Sequence, residues 1–194
     1  MQFPLTLTFK LLALSPQITV TDANGQVVFY VKQKLFKLKE AVTVFADQAQ
    51  TQPMYSMQAD RIIDFSANYR FSDQAGNQLG SVKRQGARSL WKAHYDIHIG
   101  DQIVGTITEQ DAWVKVADAC FQQVPFLGIL GGYFFNPVYL VSRPDGTVIV
   151  KVKKQPAFFE SSFTIEEAVD IDEAAEVRTI LSIIMMTLLE RSRG

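Results

Sequence analysis

Apolar and polar residues alternate with a period of two through most of the chain, and the alternation is interrupted at regular intervals by short turn sequences. The clearest run is 91–99, where Trp91, Ala93, Tyr95, Ile97 and Ile99 alternate with Lys92, His94, Asp96 and His98. Successive side chains of a strand point to opposite faces, so this run has one core face and one wet face. Turn sequences at 22–25, 73–77, 100–101 and 144–146 each supply a glycine for a tight reversal, and they predict four hairpins: 18–21 with 27–31, 69–72 with 79–83, 91–99 with 103–108, and 138–142 with 147–153. Runs at 42–46, 54–58, 114–117 and 158–168 read as further strands, for a total near twelve, and 1–16 reads as a strand entering the sheet. So many short strands in one domain require a closed barrel or a large sandwich. In the third hairpin, a three-residue loop at 100–102 with a bulge would set Ile103 opposite Ile99 and Ile107 opposite Tyr95, keeping the large apolar groups on one face.

The period changes after the strands. No Gly or Pro occurs between Asp172 and Glu190, Glu173 and Glu176 crowd the start, and Arg191 and Arg193 follow the end. These charges complement a helix dipole at both ends, and Asp170 with Glu173 has capping-box spacing. From Ile180 to Leu189 the helix is apolar all round except for Ser182 and Thr187, so it must be surrounded. Its uncharged stretch, 179–189, would span about 16 Å, against roughly 30 Å of bilayer hydrocarbon. The expectation is mainly β structure: one domain over 1–194, with a barrel at about 5–168 closed around a central helix at about 172–190.

Composition changes this picture little. A length of 194 residues, 47% hydrophobic and 20% charged, fits one self-sufficient core. A formal net charge of −1 carries no field that would recruit nucleic acid. Cys120 is the one cysteine, which excludes an internal disulfide and fits a reducing compartment. Lys10 interrupts the apolar N-terminus where a signal peptide would be unbroken, so the cytoplasm is the expected location.

Candidate chemistry is sparse. His94, Asp96 and His98 share a strand face and are zinc-ligand types, but residues four apart on a strand lie roughly 13 Å from each other, too far to chelate one ion. Cys120 has no histidine near it in sequence, no serine sits in a nucleophile elbow, and Gly128, Gly131 and Gly132 lack the Lys and Ser/Thr of a phosphate loop. No enzyme, cofactor or metal site is expected. The uncharged segment 124–135 reads either as a core strand with a loosened turn or as a contact patch for a membrane interface or protein partner. Basic residues recur with strand spacing: Lys32 and Lys34, Lys37 and Lys39, Lys83 and Arg84, and Lys151, Lys153 and Lys154. A groove lined by them would attract phosphate headgroups, whereas edge lysines that discourage sheet-to-sheet pairing give the same pattern.

The stretch ITVTDANGQVVFYVKQKLFKLK at 18–39, SLWKAHY at 89–95 and the region 163–190 together resemble the LURP-one-related family, whose relatives are the tubby C-terminal domain and the phospholipid scramblases. Asp170 and Asp172 before an apolar helix are similar to the scramblase ending. The resemblance implies a barrel of about twelve strands around a central helix. It implies much less about activity; with the strand-spaced basic residues it leads to the expectation of a non-enzymatic module that binds anionic lipid headgroups, or another phosphorylated ligand, through Lys32, Lys34, Lys37, Lys39, Lys83, Arg84, Lys151 and Lys153. A protein-interaction scaffold and a scramblase-like membrane protein are the alternatives. The chain lacks the palmitoylated cysteine cluster, proline-rich arm and calcium loop of the lipid-handling relatives, and Asp170 and Asp172 are read as caps.

Overall fold

A computed structural model describes residues 1–10, 16–32, 41–61, 67–86, 93–110, 137–155 and 160–191. Twelve strands form one closed antiparallel barrel: β1 (Leu5–Lys10), β2 (Gln17–Thr21), β3 (Val27–Lys32), β4 (Val42–Phe45), β5 (Pro53–Ala59), β6 (Asn68–Asp73), β7 (Gln78–Arg84), β8 (His94–Ile99), β9 (Gln102–Glu109), β10 (Val138–Ser142), β11 (Val148–Gln155) and β12 (Glu160–Glu167). Each strand pairs with its sequence neighbours, and β12 closes on β1 from Leu5↔Ile165 to Lys10↔Glu160. Closure leaves no unpaired edge, so lysines are not needed to protect one. The expected strands at 114–117 and 91–92, and the patch at 124–135, lie outside the described residues.

One helix, α1 (Glu173–Arg191), follows the last strand. Residues 179–188 are buried without interruption, and they join one core cluster with inward side chains from every strand, among them Leu7, Phe29, Phe71, Tyr95 and Ile165. The helix therefore fills the barrel, which accounts for its lack of a polar face. Two of its three hydroxyls are satisfied within the helix, Ser182 donating to the Arg178 carbonyl (2.8 Å) and Thr187 to that of Ile183 (2.9 Å). Asp172 is the cap, its Oδ1 accepting from the Ala175 N–H at 2.8 Å. This corrects the capping-box reading of Asp170 with Glu173: with Asp172 at the cap, the third helical position is Ala175, whose methyl group cannot accept a bond from the cap.

The hairpin at 94–109 also departs from expectation. Its turn is Gly100-Asp101, with Gly100 at φ +57°, and the pairing at the tip is Ile99↔Gln102 and His98↔Ile103. The expected three-residue loop is absent because the bulge lies further down, between Ile97 and His98. That extra residue restores Tyr95↔Ile107 as expected, and the cost is borne at the tip, where Ile99 and Ile103 are exposed.

The meander gives the barrel two unlike ends. At one end lie the turns β2–β3, β4–β5, β6–β7, β8–β9 and β10–β11, together with the link from β12 to α1. Here aspartates accept backbone N–H groups: Asp22 from Asn24 and Gln26 (2.9 Å each), Asp73 from Asn77 (2.8 Å) and Asp145 from Thr147 (2.8 Å). The opposite rim is where odd-numbered strands finish and α1 ends.

Candidate anion-binding rim

Strands β3, β7 and β11 run in the same direction and are four apart in a ring of twelve, so they reach the same rim a third of a turn from one another. Lys32 is the last residue of β3, Lys83 the penultimate one of β7, and Lys153 and Lys154 stand near the end of β11. Lys10 closes β1 at the same rim, and Arg191 closes α1 there. The rim thus carries several separated cations and not one lysine-lined pocket.

The expected residues take different roles within this frame. Lys32 and Lys151 are exposed, and Lys83, Lys153 and Lys154 are half-buried. The side chains of Lys32, Lys83, Lys151 and Lys154 make no hydrogen bond or ion pair to any described residue. Lys153 pairs with Glu166 at 2.8 Å, a surface contact worth at most about 1 kcal/mol that leaves it accessible. Lys34, Lys37 and Lys39 lie outside the described residues.

Lys154 shares the face of Val150 and Val152 and stands opposite Phe163, toward the barrel mouth, and Arg84 does not belong to the outward set either. Strand alternation sends it to the same face as Val82, into the barrel mouth, where it is 6% exposed. Its Nη2 is 3.4 Å from Glu190 Oε1, and its guanidinium lies 5.7 Å from the centre of the Tyr95 ring. The Tyr95 hydroxyl donates to Glu190 as well. Burial first, and then this bond to a carboxylate, push the Tyr95 phenol far up. Burial, with Glu109 and Glu190 nearby, raises Tyr139 to about 12. Arg191 covers the Phe9 ring at 5.3 Å. These groups tie the last turn of α1 to the rim, and a carboxylate at the negative end of a helix dipole needs such partners. The sequence did carry the signal for Arg84, in the spacing of Val82 and Arg84 along one strand.

On the outer wall, His94 Nε2 lies 3.4 Å from Asp96 Oδ1, and Gln85 donates to the same carboxylate. Asp96 is buried although it belongs to the outward set of β8. His98 stands opposite Ser81 and Ile103, and its buried Nε2 has no hydrogen-bond partner among the described residues. Among the described residues no three such groups converge on a metal position.

A closed antiparallel twelve-stranded barrel filled by its own C-terminal helix is the tubby-like architecture. The LURP-one-related family pattern matches residues 27–187, and the chain belongs to that family, which is not a known enzyme family. The X-ray structure of a protein from Arabidopsis thaliana is similar at 16% identity, over 93% of this chain and 89% of that one, with a TM-score of 0.46. No curated protein matches. No helix among the described residues is long and apolar enough to cross a membrane.

Proposed function

We propose that the chain is a non-enzymatic, cytoplasmic binding module that recognises a phosphate-bearing anion, such as a lipid headgroup, through the cations of the barrel rim. The observation that carries this reading is the uneven use of charge along the barrel axis. Acidic side chains at the turn end are occupied by backbone N–H groups and the helix start. Lys32, Lys83 and Lys154 at the rim have no such occupation among the described residues. A lysine held at a fixed strand end, without a carboxylate to neutralise it, is a point charge available to phosphate. Several cations spread around one rim suit a flat anionic surface or a large ligand better than a small buried one, since each juxtaposed basic residue adds about 1 kcal/mol at such a surface.

Vesicle flotation at low salt tests the proposal. Vesicles containing phosphatidylserine or phosphatidylinositol 4-phosphate should carry the protein upward, neutral phosphatidylcholine vesicles should not, and retention should fall as salt is raised. Failure to float with any anionic vesicle, joined to failure to bind soluble phosphomonoesters, would remove the reading.

A further inference from the structure

Below the Lys10–Lys32 stretch of the rim, two ranks of hydroxyls face outward in register on three adjacent strands. One rank is Ser162, Thr8 and Thr19; the next is Thr164, Thr6 and Thr21. Alternation fixes their direction, because Phe163, Leu7 and Val20 between them point into the core. Neighbouring strands are about 4.8 Å apart and successive outward residues about 6.8 Å apart, so the array covers about 10 Å by 7 Å, close to the size of a six-membered polyol ring.

Thr164 accepts from Gln155 at 3.0 Å, and the other five hydroxyls make no hydrogen bond to any described residue. Above the array, Lys10, Gln17 and Lys32 form a single cross-strand row, placing two cations about 10 Å apart with an amide between them. Lys153 stands beside Thr164 at the flank. All six positions of the array are serine or threonine, and Glu166 beside it is held by Lys153. Threonine is a favoured strand residue, but strand preference alone does not require all six outward positions to be hydroxyls. Each hydroxyl both donates and accepts, which suits the hydroxyls of a sugar or cyclitol.

We infer that the ligand of this rim is a phosphorylated polyol whose phosphate lies at Lys32, at the end of the Lys10–Gln17–Lys32 row, and whose ring hydroxyls meet the Ser162–Thr8–Thr19 and Thr164–Thr6–Thr21 array. The inference rests on the anion-binding reading above and adds the chemistry next to the phosphate. A soluble sugar phosphate and a cyclitol-phosphate lipid headgroup share that chemistry.

Calorimetric titration of the whole chain with glucose 6-phosphate and with ethyl phosphate compares a phosphomonoester that has ring hydroxyls with one that lacks them. Flotation with phosphatidylinositol 4-phosphate or phosphatidylserine vesicles, matched in surface charge, makes the same comparison on a membrane. The expected result is a preference of about tenfold for the hydroxylated member in at least one pair, lost in the Thr8→Val/Thr19→Val variant, which keeps side-chain shape and strand preference. Lys32→Gln should weaken both members alike. Preference in titration identifies a soluble ligand, and preference only in flotation identifies a headgroup. Equal binding of both members, unchanged by the valines, overturns the inference and leaves anion binding intact. No binding to any phosphate overturns both.

Discussion

The two ends of the barrel are built from similar strands yet spend their polar residues differently. At the turn end, aspartates hold tight turns, Asp172 caps the helix and the Met1 ammonium lies 2.9 Å from Glu176. Bonds from Asn77 hold the Asp73 carboxyl below its ordinary value, and bonds from Thr147 do the same for Asp145. At the rim, one set of charged groups, Arg84, Tyr95 and Glu190, anchors the helix, while the side chains of Lys32, Lys83 and Lys154 have no partner among the described residues. Charge that the fold consumes is a poor guide to function. Charge that the fold positions without using is a better one.

Both ends depend on the helix between them, so the largest effect should come from its middle. Ile183 is fully buried, and Ile183→Asp puts an unpaired charge where no water can reach it, at a cost above about 4 kcal/mol. The variant should fail to fold by circular dichroism, and a folded, cooperative Ile183→Asp protein would contradict the central-helix packing.

Next in size is a change at the turn end. Gly80 has φ +142°, and a Cβ there would lie 2.6 Å from the His98 carbonyl oxygen and 2.8 Å from Arg178 Cδ, while Arg178 Nε donates to the Leu79 carbonyl at 2.8 Å. Gly80→Ala should cost about 2–3 kcal/mol in urea unfolding, because neither the backbone oxygen nor the strained φ can be relieved by a side-chain rotation. At the rim, Glu190→Gln should cost about 1–2 kcal/mol by weakening the contacts to Arg84 and Tyr95. Equal losses at the two positions would show that the rim contacts of Glu190 hold the fold as strongly as the backbone geometry at Gly80.

A smaller effect separates the ends by pH. The folded Tyr139 phenol titrates at about 12, against an ordinary value of 10.0. The unfolded chain therefore loses this proton first, so the stability Tyr139 contributes is complete below pH 10.0 and is lost as pH rises toward about 12. Thermal midpoints measured from pH 9 to about 12 should fall more steeply in the parent than in Tyr139→Phe. Matching slopes would show that the phenol ionises as freely in the fold as outside it.

Much of this architecture was legible because each level of the sequence agreed with the next. Alternation at 5–10 and 17–21 matches the observed burial, and an apolar helix too short for a bilayer had only a barrel to surround it. Register was less legible: a bulge between Ile97 and His98 is backbone geometry that no side-chain pattern specifies, so the tip of the hairpin was misplaced while Tyr95↔Ile107 was not. Of the candidate cations, Lys32 and Lys83 fell at strand ends. Arg84 was grouped with its neighbour Lys83 although adjacent strand residues face opposite ways. Glu190 and Tyr95 were read only as a helix end and a core aromatic, since their meeting across 95 residues of chain depends on barrel closure. The hydroxyl array needed the register of three strands before its members could be seen as one surface.

The most direct test of the unused-charge account compares two substitutions that change net charge equally at opposite ends. Lys32→Glu alters the rim, and Arg143→Glu alters the exposed β10–β11 turn. In flotation with anionic vesicles at low salt, Lys32→Glu should lose most of its retention while Arg143→Glu floats like the parent. Equal weakening by both would show that only overall charge matters and that the rim is not a binding surface.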